Sequence, residues 1–218
     1  MTGSQRAGSV QTKKSRDALS TGEALQKLLE GNKRFLEKSQ TSVAAYRNQI
    51  SETVEGQFPF AAILSCVDSR VSVEHIFDLN NGDAFNARVA GNIANPDILG
   101  SFEFATKLAG SKVIMVMGHT GCGAVEGACD NVTIGNLTVL LSKIKPAVAA
   151  IGEGWTEGEK SSENDKFVNA VAIENVKRVK ADILERSEVI RNLVDENEVK
   201  LVGAMYDIST GKVSLIES

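Results

Sequence analysis

The sequence predicts an α/β fold: a central, mostly parallel β-sheet flanked by helices, with an N-terminal helical arm. Three observations predict it. Short apolar runs at residues 61–65, 84–89, 113–117 and 199–206 have the length and composition of buried strands. Segments with apolar residues at helical spacing separate them. Two of the runs also end directly in chemically useful residues. The first leads into Cys66, and the third into Gly118, His119 and Cys122. Ligands in open parallel sheets sit beyond the carboxyl ends of strands, so two adjacent parallel strands would bring these residues together.

Bulk properties narrow the function. The chain has 218 residues, 42% hydrophobic and 24% charged, with a net charge of -4; it is long enough for one domain with a real core. Residues 1–18 read as a mobile polar tail, and residues 19–218 as one domain that includes the helical arm. Lys13, Lys14 and Arg16 make a short basic patch in that tail, read as solvated, and no basic stripe with interleaved aromatics appears, so no nucleic-acid partner is expected. No run approaches the roughly 18 apolar residues of a membrane helix, so no membrane partner is expected either. The first twenty residues lack the apolar centre of a secretory signal, which predicts a cytoplasmic protein, or a periplasmic one if a signal has been removed. The three cysteines are too few and too sparse for a disulfide framework and read as metal ligands or buried thiols.

Taken in order, Ser20 with Glu23 forms a capping box, and Leu25, Leu28, Leu29, Phe35 and Leu36 then share one face, predicting an amphipathic helix over 21–37. Its apolar face can lie on this chain's own domain or on a partner subunit. A polar second helix precedes Gly56. After the strand at 61–65, residues 73–77 form a helical turn, and 84–89 a second strand. Asn95 or Asp97 caps a helix over 98–108 that Gly110 closes. The third strand follows, then a short helix after Cys122. Residues 136–151 are helical with a bend near Pro146, and 152–166 form a Gly- and Glu-rich surface loop. A long helix over 167–184 and a shorter one capped by Ser187 lead to a strand at 199–206. The turn 207–211 and a last strand at 212–216 complete a hairpin.

Cys66, His119 and Cys122 are candidate metal ligands. Zinc takes thiolate and imidazole ligands in a tetrahedron, and catalytic sites supply three ligands and leave one position open. The H-x-x-C spacing lets His119 and Cys122 point inward from one turn, with Cys66 arriving from the neighbouring strand end. The plain alternative is a pair of buried thiols behaving as small hydrophobes. His75 and Cys129 read as structural. Asp68 and Arg70 follow Cys66 closely; they are either a local ion pair or a charge-assisted acceptor beside the metal. In the second case Asp68 orients a water at the open position, or binds the metal itself if Arg70 releases it.

The segments CVDSRV at 66–71, ARVAGN at 87–92 and GHTGCGAV at 118–125 together resemble the β-class carbonic anhydrases, and the likeness runs from the N-terminal helix to the YDISTG turn at 206–211. The resemblance implies an enzyme for the reversible hydration of carbon dioxide to bicarbonate and a proton, by zinc-bound hydroxide. Cys66, His119 and Cys122 are then the Zn2+ ligands, and Asp68 with Arg70 the catalytic dyad. Gln57 matches the substrate-side glutamine of the plant-like subgroup, Phe85 an apolar wall, and Ala90 and Gly123 the compact lining of the pocket. The family also implies a homodimer or dimer-based tetramer with N-terminal helices embracing a partner. Departures are Phe104 in place of a common Tyr, Leu79-Asn80-Asn81 before Gly82, and Ile63 where a regulated bacterial subgroup has Trp. With Gln57, Ile63 predicts the form in which water, not Asp68, completes zinc. Two other functions fit the same residues: a carbonyl sulfide or carbon disulfide hydrolase, and a non-catalytic zinc or redox protein.

Overall fold

The computed structural model describes residues 8–217. Its elements are α1 (Lys13–Asp17), α2 (Thr21–Leu36), α3 (Val43–Glu52), β1 (Ala61–Ser65), α4 (Val73–Ile76) and β2 (Ala84–Arg88), followed by a 3-10 turn at Ala90–Asn92. Next come α5 (Pro96–Glu103), which runs on as a π-helical stretch at Phe104–Leu108, β3 (Val113–His119), α6 (Gly123–Cys129), α7 (Gly135–Ser142) and α8 (Lys145–Glu153). The chain then forms α9 (Asp165–Arg186), α10 (Glu188–Asp195), β4 (Lys200–Tyr206) and β5 (Val213–Leu215). No helix among the described residues is long and apolar enough to cross a membrane.

The sheet has the order β2-β1-β3-β4-β5, with β1 to β4 mutually parallel and β5 antiparallel to β4. The chain moves outward from β1 to the edge strand β2, then crosses back to β3. That reversal makes the carboxyl ends of β1 and β3 the topological switch point, the place where open α/β sheets bind ligands. Every residue of β1 and of β3 is buried, because helices cover both faces. Ala61, Ile63, Val113, Met115 and Met117 pack toward α2 and α4, and their alternates Ala62, Leu64, Ile114 and Val116 toward α5, α9 and α10. A third cluster, from α6, α7, α8 and α9, surrounds Cys66 and Cys122 at the carboxyl end.

The N-terminal helix α2 is seated on its own chain. Ser20 caps it through the expected box with Glu23. Asn32, buried, donates through Nδ2 to the carbonyls of Ile76 and Gly211 and accepts from Val213 N–H. The expectation of a solvated tail needs correction for part of its length. Positions 1–7 lie outside the described residues, but residues 13–17 form α1, capped by Thr12, and Arg16 is buried with its guanidinium donating to Ala109 O. The carbonyl at the end of the π-helical stretch needs a donor, and a buried guanidinium supplies one. The bend expected near Pro146 is instead a break: α7 ends at Ser142, and Pro146 sits in the first turn of α8, where a missing N–H costs nothing.

Candidate active site

Two parallel strands deliver the chemistry. In the β1–β3 ladder Leu64 pairs with Val116, and continuing that register sets Cys66 level with Gly118, one residue before His119. Gly121, at φ +59, takes the left-handed conformation that turns the chain back so that Cys122 faces His119. The ligand atoms of Cys66, His119 and Cys122 all lie within 4.8 Å of one another, and all three residues are buried.

Four features fit this trio to a tetrahedral metal. The Cys66 and Cys122 sulfurs are 3.9 Å apart and not joined in a disulfide; sulfurs at about 2.3 Å from a common tetrahedral centre stand about 3.8 Å apart. His119 Nδ1 lies 3.0 Å from Thr120 O. A carbonyl only accepts, so Nδ1 carries the proton and Nε2 is the free base. That Nε2 is buried without a hydrogen-bond partner, an arrangement that costs energy unless something binds it. Finally, the Cys66 thiol is pulled well below the ordinary thiol range, chiefly by the hydrogen bond from Cys122, while Cys122 is pushed up by its bond to the Cys66 sulfur and by burial. The direction of the Cys66 shift favours the thiolate, the form that binds metal. Burial opposes protonation of His119, but the Cys66 thiolate outweighs it and raises the ring's basicity.

Asp68 stands over this group. Its Oδ2 is 3.9 Å from His119 Nε2. Arg70 grips the carboxylate in a fork: Nε donates to Oδ1 at 2.9 Å and Nη2 to Oδ2 at 2.7 Å, while the Arg70 N–H also donates to Oδ1. Those bonds hold the Asp68 carboxyl far below the usual carboxylate range. Arg70 Nη2 also donates to Gly121 O, tying the pair to the His119–Cys122 turn.

Ala90 and Gly123 flank the trio. Ala90 precedes Gly91, whose N–H donates to Cys66 Sγ at 3.4 Å. Gly123 follows Cys122 as the first residue of α6. Gln57 and Phe85 are not brought to the site within one chain. Gln57 is exposed beside Gly82, at the amino end of the sheet. Phe85 pairs in register with Ala62 and stacks edge-on against Phe104 with centroids 5.6 Å apart. The length of β1, at about 3.3 Å per residue, puts Gln57 on the order of 15 Å or more from Cys66.

Arg88 has a role that sequence reasoning did not assign. Its Nε donates to Cys66 O at 3.0 Å and its Nη2 to Asp68 O at 2.6 Å, so it pins the backbone that carries both residues. The signal for it was the parallel register, which pairs Arg88 with Ser65.

The carbonic anhydrase family profile matches residues 61–213, from the start of β1 to the first residue of β5. The chain belongs to the β-class of the carbonic anhydrase family. "Carbonic anhydrase 2" of Mycobacterium tuberculosis is 31% identical over 193 residues, covering 86% of this chain and 89% of that protein. Among solved structures, a tetrameric β-carbonic anhydrase of Sordaria macrospora superposes with a TM-score of 0.71 at 26% identity, over 80% of this chain and 90% of that one. A carbon disulfide hydrolase of an Acidianus species is 29% identical over 159 residues, 69% of this chain and 74% of that protein.

Proposed function

We propose that the chain catalyses the reversible hydration of carbon dioxide to bicarbonate and a proton, with Zn2+ held by Cys66, His119 and Cys122. The observation that carries this reading is the buried, unpartnered His119 Nε2 set among two sulfurs not joined in a disulfide and beside an Arg-locked carboxylate. When bound, zinc lowers the pKa of a water to about 7 and so supplies a nucleophile near neutral pH.

The chain's own residues do the rest. Asp68 is ionised and can only accept, so it would accept a hydrogen bond from the O–H of the nucleophile and leave a lone pair free for the carbon of carbon dioxide. Arg70 keeps Asp68 in that role. With both carboxylate oxygens engaged by the guanidinium, Asp68 is held off the metal, which supports the form in which water completes zinc. Ala90 and Gly123 leave room for a small apolar substrate. The proton to be passed to buffer is the one given up when that water ionises, before the C–O bond forms.

Gln57 and Phe85 enter this reading from a second copy of the chain. The edge strand β2 carries Phe85 half-exposed, so a neighbouring subunit can present that edge to this subunit's metal centre. Gln57 would then donate to the developing oxyanion of bicarbonate. A homodimer or a dimer-based tetramer is the assembly this requires, and the Sordaria relative is described as tetrameric.

The Acidianus relative gives the carbon disulfide reading its own support. Stopped-flow turnover of the zinc-loaded protein with each substrate separates the two. Rapid carbon dioxide hydration is expected; sulfide release with negligible carbon dioxide turnover would replace this function with the hydrolase.

A further inference from the structure

We infer that Asn175 is a positioning residue for the metal centre: from α9 it holds Gly91 so that the Gly91 N–H stays on the Cys66 sulfur. The inference rests on the reading of Cys66 as a metal ligand. Asn175 is only 2% exposed, on a helix face otherwise made of Val168, Val171, Ala172, Val176 and Val179. A buried amide on an apolar face costs stability unless it is satisfied. Its Nδ2 donates to Gly91 O at 2.9 Å, a contact between residues far apart in the chain.

Gly91 needs such a hold. It lies in the 3-10 turn Ala90–Asn92 at φ +66, and a Cβ there would come within 2.5 Å of Ile144 Cδ1. At a positive φ the position favours glycine, so its place is held by backbone contacts. One is the Asn175 amide on the carbonyl side. The other is the bond from Gly91 N–H to Cys66 Sγ. The turn is thus clamped between a long helix and a sulfur. An N–H on a thiolate draws off charge and orients the remaining lone pairs, and partners of this kind set both affinity and electronic character at metal sites. Asn175 makes no hydrogen bond to the proposed catalytic groups or to the three ligands, so its effect runs through Gly91.

Cobalt substitution reads this directly, because thiolate-to-cobalt charge-transfer bands report the sulfur's donor strength. Asn175→Leu is expected to bind one cobalt with shifted charge-transfer bands, and to lose metal to a chelator about tenfold faster than wild type. Ile183→Ala is the control. It empties a fully buried site on the same helix, and it is expected to lower thermal stability while leaving bands and metal loss unchanged. Asn175→Leu with wild-type bands and wild-type metal loss overturns the inference, as do equal shifts in Ile183→Ala. A wild-type protein that binds no cobalt overturns the metal reading itself, which is a different failure. If Asn175→Leu does not fold, cadmium-loaded wild type decides: a Gly91 amide proton split by coupling to cadmium through the sulfur supports the inference, and an uncoupled one overturns it.

Discussion

Asp68 and Asp83 are both acidic, and their surroundings push them in opposite directions. Arg70's hydrogen bonds hold Asp68 ionised, so Asp68→Asn removes an obligate acceptor while leaving the three proposed ligands intact. The variant is expected to keep stoichiometric zinc by metal analysis and to lose about 100-fold or more in carbon dioxide turnover. Full activity with zinc retained would take Asp68 out of the mechanism. Asp83 is different: burial raises its carboxyl, against hydrogen bonds from Asn80. An acid whose folded-state pKa is raised binds its proton more tightly in the native state. Its stabilising contribution is therefore complete below about pH 3.9 and is lost as pH rises through the folded-state value. Asp83→Asn keeps an acceptor for Asn80 without the buried charge. It is expected to melt at or above the wild-type temperature at neutral pH, with a flatter dependence of melting temperature on pH.

At the scale of elements, the seating of α2 is the most sharply determined contact. A Cβ at Gly31 would fall 1.8 Å from Phe77 O, so the helix backbone lies directly on the end of α4. Gly31→Ala is expected to cost about 1–3 kcal/mol through overpacking, seen as a lower denaturation midpoint with an unchanged slope. Asn32 closes the contact from the next position, and Asn32→Ala leaves two buried carbonyls and one N–H without partners. Its expected cost is about 2–4 kcal/mol. Both substitutions lie away from the metal ligands, so zinc content per folded molecule should not change. The capping box at Ser20 and the strands β1 and β3 were legible from local pattern alone. The seat of α2 was not, because nothing at Gly31 or Asn32 announces a partner dozens of residues away.

At the scale of the whole molecule, the parallel sheet separates what the motifs list together. Cys66 and Asp68 follow the end of β1 and His119 closes β3, whereas Gln57 precedes β1 and Phe85 sits in the first half of β2. If a second copy supplies Gln57, two inactive variants should complement. Mixed Cys66→Ala and Gln57→Leu subunits form hybrid dimers in which one of two sites has an intact trio and an intact glutamine. After co-refolding of equal amounts, about a quarter of wild-type turnover is expected from random pairing in a two-fold dimer. No recovery in verified hybrids would place Gln57 outside the site.

The division between chain and fold follows from the range of the forces. Strand and helix periodicities, the capping boxes, the H-x-x-C turn and the proximity of Asp68 to Arg70 are set within a few residues, so the sequence by itself determined them, together with the α/β class; it also picked out Cys66, His119 and Cys122 as candidate ligands. Only the tertiary structure decided that Arg88 pins the Cys66 loop, that Asn175 reaches Gly91, that α2 sits on its own chain and that Gln57 and Phe85 stand away from the trio. Those relations join residues whose separation in the chain carries no information about their distance in space. They are settled by strand order and register, since in a parallel sheet every residue before a strand is held at the end opposite every residue after it.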